Sequence, residues 1–231
     1  MSLIISLLFS LNVYASENAI KPVTFPSQGI RTLMISVPKG RVSLTASKNL
    51  KDSISVNIIE SKKVYTDNKK CLKNVGLENT QLNVKISSEN ILFEKADCNY
   101  DVMIVVPASQ NFEMDVTSGS ALVMIKDING NLNLKTATGT VSVESDLVKN
   151  VSAKSATGNM NFGYKTCSGR ADLDVITGTG KTLINLPATC KIRVDYKSAT
   201  GKLFNALGES EDYQVKINAT SASGDLTIGK R

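Results

Sequence analysis

The 231-residue chain has no histidine and no tryptophan, and aromatic residues make up only 5% of it. Without His it lacks the commonest general base at neutral pH and the commonest metal ligand. Without Trp it lacks the ring best suited to stacking on a sugar or a base. No apolar run is long enough to span a membrane as a helix. The formal charge of +6 is spread out, with no dense basic stretch, and with so few aromatics it gives no nucleic-acid-binding signature. A spread positive charge favours weak, salt-sensitive contact with an anionic polymer, glycan or protein surface.

The longest apolar stretch is residues 1–15, which end in Val13-Tyr14-Ala15 and read as a signal peptide. No Lys or Arg precedes its apolar core, which questions Met1 as the start. The competing reading is a buried first strand. Because residues 1–15 are uncharged, their removal leaves +6 on the remainder, which is expected in the periplasm or at the cell surface. Residues 16–30, with Pro22 and Pro26, read as an extended lead-in.

One phrase recurs beyond that point. It is K-T-A-T-G at 135–139, K-S-A-T-G at 154–158, I-T-G-T-G at 176–180, K-S-A-T-G at 197–201 and T-S-A-S-G at 220–224, with a weaker copy ending at Gly119. Counted from Gly119, the glycines 139, 158, 180, 201 and 224 follow at 20, 19, 22, 21 and 23 residues, the spacing of a stacked repeat. Apolar residues alternate with polar ones on both sides of each glycine, and their phase flips across it. Leu132 and Leu134 precede Gly139 on even numbers; Val141 and Val143 follow on odd ones. The extra residue turns the chain while keeping one interior, a task for which glycine's tolerance of positive φ fits. Extending the alternation to the corner places both Ser/Thr residues of each pair inside.

Strand pairs with one apolar face are stable only when stacked. The expected fold is therefore an all-β, single-domain β-solenoid of about 20-residue repeats. Residues 31–111 form a less regular N-terminal part, with strands at 53–59, 81–86, 91–93 and 100–107 and a charged loop at 60–76. The regular stack is expected over 112–231. Gly229-Lys230-Arg231 would follow an exposed last strand, its two charges discouraging further pairing.

Four cysteines in an exported chain imply two disulfides. Cys167 and Cys190 stand about one repeat apart in outer loops and are expected to pair, leaving Cys71 with Cys98. Each bridge is worth about 3 kcal/mol on the loop-entropy estimate.

The succession I-V-V-P at 104–107, F-E-M-D-V-T-S-G at 112–119 and G-N-L-N-L-K-T-A-T-G-T-V-S-V at 130–143, with its repeats, resembles the bacterial candidate-adhesin β-strand-repeat proteins of unknown function. The resemblance spans residues 31–229. It implies an exported solenoid with no catalytic residues to transfer.

Other chemistries lack their parts. T-G-T-G-K-T at 177–182 has Val175 where a phosphate-binding loop needs glycine, and a strand follows instead of a helix. Asp115, Asp172, Asp174 and Asp195 are outward carboxylates; Asp172 and Asp174 share a face about 7 Å apart, the feature that keeps a polysaccharide lyase or glycosidase as the alternative reading. Ice binding is a minor alternative, disfavoured by the inward Thr placement. Asn150-Val151-Ser152 and Asn218-Ala219-Thr220 match the glycan-acceptor pattern. No metal or cofactor is implied. Outside stand Lys135, Lys154 and Lys197, a candidate binding face with Lys197 two rungs beyond Lys154. The best reading is a non-catalytic adhesin-like binding or envelope-scaffold module of no set oligomeric state.

Overall fold

Period-two alternation in the sequence becomes strand throughout. The computed structural model describes residues 21–61, 71–88, 98–146, 150–167 and 169–231, and among these no helix occurs. Residues 1–20, which hold the signal segment, lie outside the described residues, as do 62–70 of the expected loop and the expected strand at 91–93.

The strands are β1 (Val23–Pro26), β2 (Thr32–Ser47), β3 (Ser53–Glu60), β4 (Cys71–Glu78), β5 (Gln81–Ser88) and β6 (Asn99–Pro107). After them come β7 (Asn111–Lys126), β8 (Asn129–Thr138), β9 (Val141–Ser145), β10 (Asn150–Thr157), β11 (Met160–Tyr164) and β12 (Ala171–Thr179). The chain finishes with β13 (Thr182–Leu186), β14 (Ile192–Ser198), β15 (Leu203–Asn205), β16 (Val215–Ser223) and β17 (Leu226–Lys230).

Strands preceding a corner form one parallel row, in the spatial order β5, the first half of β2, the first half of β7, β8, β10, β12, β16, β14. Strands following a corner form a second: β6, the second half of β2, the second half of β7, β9, β11, β13, β17, β15. Equivalent residues pair in register, as Leu134 with Ala153 and Ala153 with Val175. Inner positions of both rows, such as Leu132, Val143, Val151, Phe162, Leu173, Ile184, Ile217 and Ile228, are buried in one core. Each contributes roughly 2 kcal/mol by leaving water.

Three expectations change at the ends of the stack. The β16–β17 rung is not last: it lies between β12–β13 and β14–β15. Lys230 and Arg231 therefore do not guard a terminal edge. The side chains explain this order. Inward residues of β16 and β17 are small or fully buried, Ala219 among them, whereas Val194 and Tyr196 of β14 are only half-buried and suit an end. Tyr196 also turns its hydroxyl to the Gly224 carbonyl, closing that end.

At the other end the order is also permuted, since β2 is internal and β5 and β6 flank it outside. Residues 71–76, expected in a loop, belong to β4, which pairs antiparallel with β5; the lead-in contributes β1, antiparallel to β3, which in turn pairs antiparallel with β6. Cys71 is joined to Cys98 and Cys167 to Cys190, both with Cα atoms 5.7 Å apart. The first bridge ties β4 to the start of β6. The second links the turn before β12 to the crossing from β13 to β14.

Candidate functional site

The corner is the most repeated local structure. Ser118, Thr136, Ser155, Thr177 and Ser221 are buried there. Thr136, Ser155 and Thr177 donate their hydroxyls to the carbonyls of Thr138, Thr157 and Thr179 at 3.0, 3.2 and 3.1 Å. Ser221 and Ser198 accept instead from the amides of Gly224 and Gly201. Ser118 donates to Thr136 across rungs at 3.1 Å.

The second hydroxyl residue of each pair was expected inside and is outside. Thr138, Thr157, Thr179, Thr200 and Ser223 are exposed. Alternation stops one residue before them: at Thr136, Ser155 and Thr177 the inner hydroxyl holds the next-but-one carbonyl inward, at Ser198 and Ser221 it holds the glycine amide, and the intervening side chain swings out. Gly139, Gly158 and Gly180 then take positive φ of 128°, 138° and 123°. A Cβ on Gly158 would strike the Gly139 carbonyl, one on Gly180 that of Gly158, and one on Gly224 that of Gly180, so the glycines let successive corners touch. Gly201 faces the Gly224 carbonyl in the same way. Gly119 is not at this position. Its neighbours Ser118 and Ser120 pair with Thr136 and Thr138, which puts Ala121 beside the Gly139 corner while β7 runs on unbroken.

The outer face of the first row presents three ranks of side chains. Glu113, Asn131, Asn150 and Asp172 align with Lys216 and Arg193 in one. Asp115, Asn133, Ser152, Asp174, Asn218 and Asp195 form the next. In the third, Thr117, Lys135 and Lys154 are successive neighbours, but Ile176 and Thr220 stand before Lys197. Lys197 is therefore three rungs beyond Lys154, not two, because β16 intervenes. It pairs with Asp195 at 3.5 Å.

A shallow trough of about 440 Å³ runs across β2, β7, β8, β10 and β12 on this face. Thr32 and Met34 of β2 lie at one side and Asp172 and Asp174 at the other, with Glu113, Asp115, Asn131, Asn133, Asn150 and Ser152 between them. Asn150 donates to Asn131 at 3.2 Å, and Asn218 donates to Asp174 at 2.7 Å. The trough holds no basic side chain, and Lys135 and Lys154 run along the neighbouring rank. Sequence reading identified Asp115, Asp172 and Asp174 as outward carboxylates but not Glu113 or the trough, which only the pairing of rungs brings together.

Asp172 and Asp174 are both exposed. A carboxyl that serves as a general acid needs an apolar, enclosed surrounding. Among the described residues no group of three His, Cys, Asp or Glu could hold a metal ion. Within 177–182, residues 177–179 end β12, Gly180 and Lys181 make the turn and Thr182 opens β13, so the lookalike of a phosphate loop is a corner between strands. No helix among the described residues is long and apolar enough to cross a membrane.

No protein-family model matches the chain, and no curated protein matches it. Among solved structures with a similar fold are two crystal structures, each 12% identical to it. One is a candidate cell adhesion protein from Clostridium sporogenes, with a TM-score of 0.53 over 91% of this chain and 99% of that one. The other is a candidate adhesin from Bacteroides fragilis, with a TM-score of 0.50 over 92% and 98%. The fold therefore agrees with the resemblance read from residues 104–143.

Proposed function

We propose that the protein is an exported, non-catalytic β-solenoid binding module of the periplasm or cell surface, with residues 31–111 as its irregular part and 112–231 as its regular stack. Its contact surface is the outer face of the first row. The observation that carries this reading is the in-register ladder, which offers similar side chains every 4.8 Å or so along the face, a geometry suited to an extended polymer. Asn131, Asn133, Asn150 and Ser152 can exchange hydrogen bonds with glycan hydroxyls. Lys135 and Lys154, alongside, add attraction for anionic groups on the same polymer, individually weak and strengthened by repetition.

Co-sedimentation with envelope polysaccharide tests the reading. Retention should fall between about 50 and 200 mM salt as screening shortens, and it should fall further for Lys135→Ser combined with Lys154→Ser. Asn150→Leu should reduce it at either salt concentration. Retention indifferent to all three changes removes the polymer-binding reading. Release of sugar ends during incubation would overturn the non-catalytic one.

The outward corner hydroxyls favour a second reading, ice binding, for which their inward placement had been the objection. Ser120, Thr138, Thr157, Thr179 and Ser223 pair as one exposed rank. Ala137, Ala156 and Gly178 stand directly before it and Lys135, Lys154 and Ile176 two residues further back, so the hydroxyl array is one residue wide. Thermal hysteresis measured on the protein decides between the two, and none is expected.

A further inference from the structure

We infer that the β14 edge is a self-complementary association surface, whose occupant is the same edge of a second copy. Among the described residues β14 pairs on one side only, with β16. The Lys191 carbonyl accepts from Gln214 and Val215 on that side, so the Ile192 carbonyl points the other way. There it accepts from Ser210 at 2.8 Å, which covers the start of the free edge. Strand alternation then directs the N–H and C=O groups of Val194, Tyr196 and Ser198 toward the uncovered side.

Hydrogen-bond geometry and charge together select one register. Two antiparallel copies centred on Tyr196 place Tyr196 against Tyr196 and Val194 against Ser198, so every pair facing across the edge is a hydrogen-bonding one. In that register Asp195 of each copy lies directly opposite Lys197 of the other, on the same outer face. Shifting the centre to residue 195 sets Asp195 against Asp195, and shifting it to 197 sets Lys197 against Lys197. Like charges directly opposite are unfavourable, and opposite charges favourable. Within one copy, Asp195 and Lys197 are exposed and bonded to one another at 3.5 Å, so both are available to exchange partners.

The paired segment is five residues from each copy, well short of the area of a stable interface, so the association is weak and concentration-dependent. Sedimentation velocity of the full chain from about 10 to 500 µM should show a monomer–dimer equilibrium. Val194→Pro removes an N–H that faces the free edge and leaves the β16 pairing intact, and it should give a monomer throughout. Lys197→Glu sets a carboxylate opposite Asp195 and should weaken association by roughly ten-fold or more. The double change Asp195→Lys with Lys197→Glu restores opposite charges and should return association to within about three-fold of the original. A protein monomeric at every concentration overturns the proposal. So does dimerisation that survives both Val194→Pro and Lys197→Glu, or a charge swap that fails to rescue. The charge variants lie at exposed positions, so they keep the test decisive should the proline variant not fold.

Discussion

Gly158→Ala should be among the most damaging single-methyl additions in the chain. Gly158 has φ +138°, outside the range that L side chains ordinarily occupy. Its added Cβ would collide with the Gly139 carbonyl oxygen and lie 2.9 Å from that carbonyl's carbon and 3.1 Å from the Gly139 nitrogen. These atoms are backbone, so nothing flexible can move aside. Relief requires the two rungs to part at the corner, which stretches the bond across them from the Val141 amide to the Asn159 carbonyl, now 3.0 Å. Backbone strain of about 1–3 kcal/mol and one or two weakened hydrogen bonds at about 1 kcal/mol each give a loss of roughly 3–5 kcal/mol. Gly208→Ala is the control, because Gly208 also has positive φ (+77°) but has nothing within 4 Å of an added Cβ. It should cost about 1–2 kcal/mol. Urea unfolding with the disulfides intact measures both, read as a shift in midpoint at constant slope. If Gly158→Ala costs no more than Gly208→Ala, successive corners do not touch as described and the explanation for the repeated glycine is wrong.

At the same corner, Ser155→Ala strips the Thr157 carbonyl of its buried hydroxyl partner and should cost about 1 kcal/mol. Thr157→Ala, at an exposed position, should stay within about 0.5 kcal/mol, and equal losses from the two would contradict the assignment of faces. Tyr164 is fully buried with its hydroxyl unpartnered, and burial pushes its ionisation well above the ordinary phenol range. Above about pH 10 the unfolded chain loses this proton while the folded one keeps it, so stability falls as pH rises, by up to about 1.4 kcal/mol per pH unit. Tyr164→Phe should flatten that alkaline decline and leave stability at pH 7 equal or higher; an unchanged decline, or a loss above about 1 kcal/mol at pH 7, would show that the phenol has a partner.

Much of the core was legible because it obeys a local rule. Leu132, Leu134, Val141 and Val143 are buried as their alternation and its flip at Gly139 require. The Cys167–Cys190 pair was legible because one repeat of sequence corresponds to a short step in space, and Cys71 with Cys98 followed as the remaining pair. Thr138 and Thr157 were misplaced by carrying alternation one residue past the point where a hydroxyl-to-carbonyl bond ends it. Rung order was hidden for a different reason. The β14–β15 and β16–β17 segments have nearly the same length and pattern, and only the size of Tyr196 against Ala219 separates an end from an interior. Strand β4 escaped notice because its exposed Leu72, Lys73 and Asn74 break any two-residue period. The trough needed Asn131 and Asn150 to be set beside Glu113 and Asp172, a comparison between rungs that no single stretch of sequence contains.

The permuted order at both ends bears on how such a chain can change in length. A repeat appended after β17 would emerge from between two occupied rungs, with no free strand to join. Between β8 and β12, by contrast, sequence order and spatial order coincide, and each segment of about 20 residues meets its neighbours through the same glycine corner. Duplicating residues 129–149 in place would slide one more layer into the column and lengthen it by about 4.8 Å, leaving both terminal arrangements as they are. Growth at this place would be interstitial: a copied middle layer would move the two ends apart unchanged.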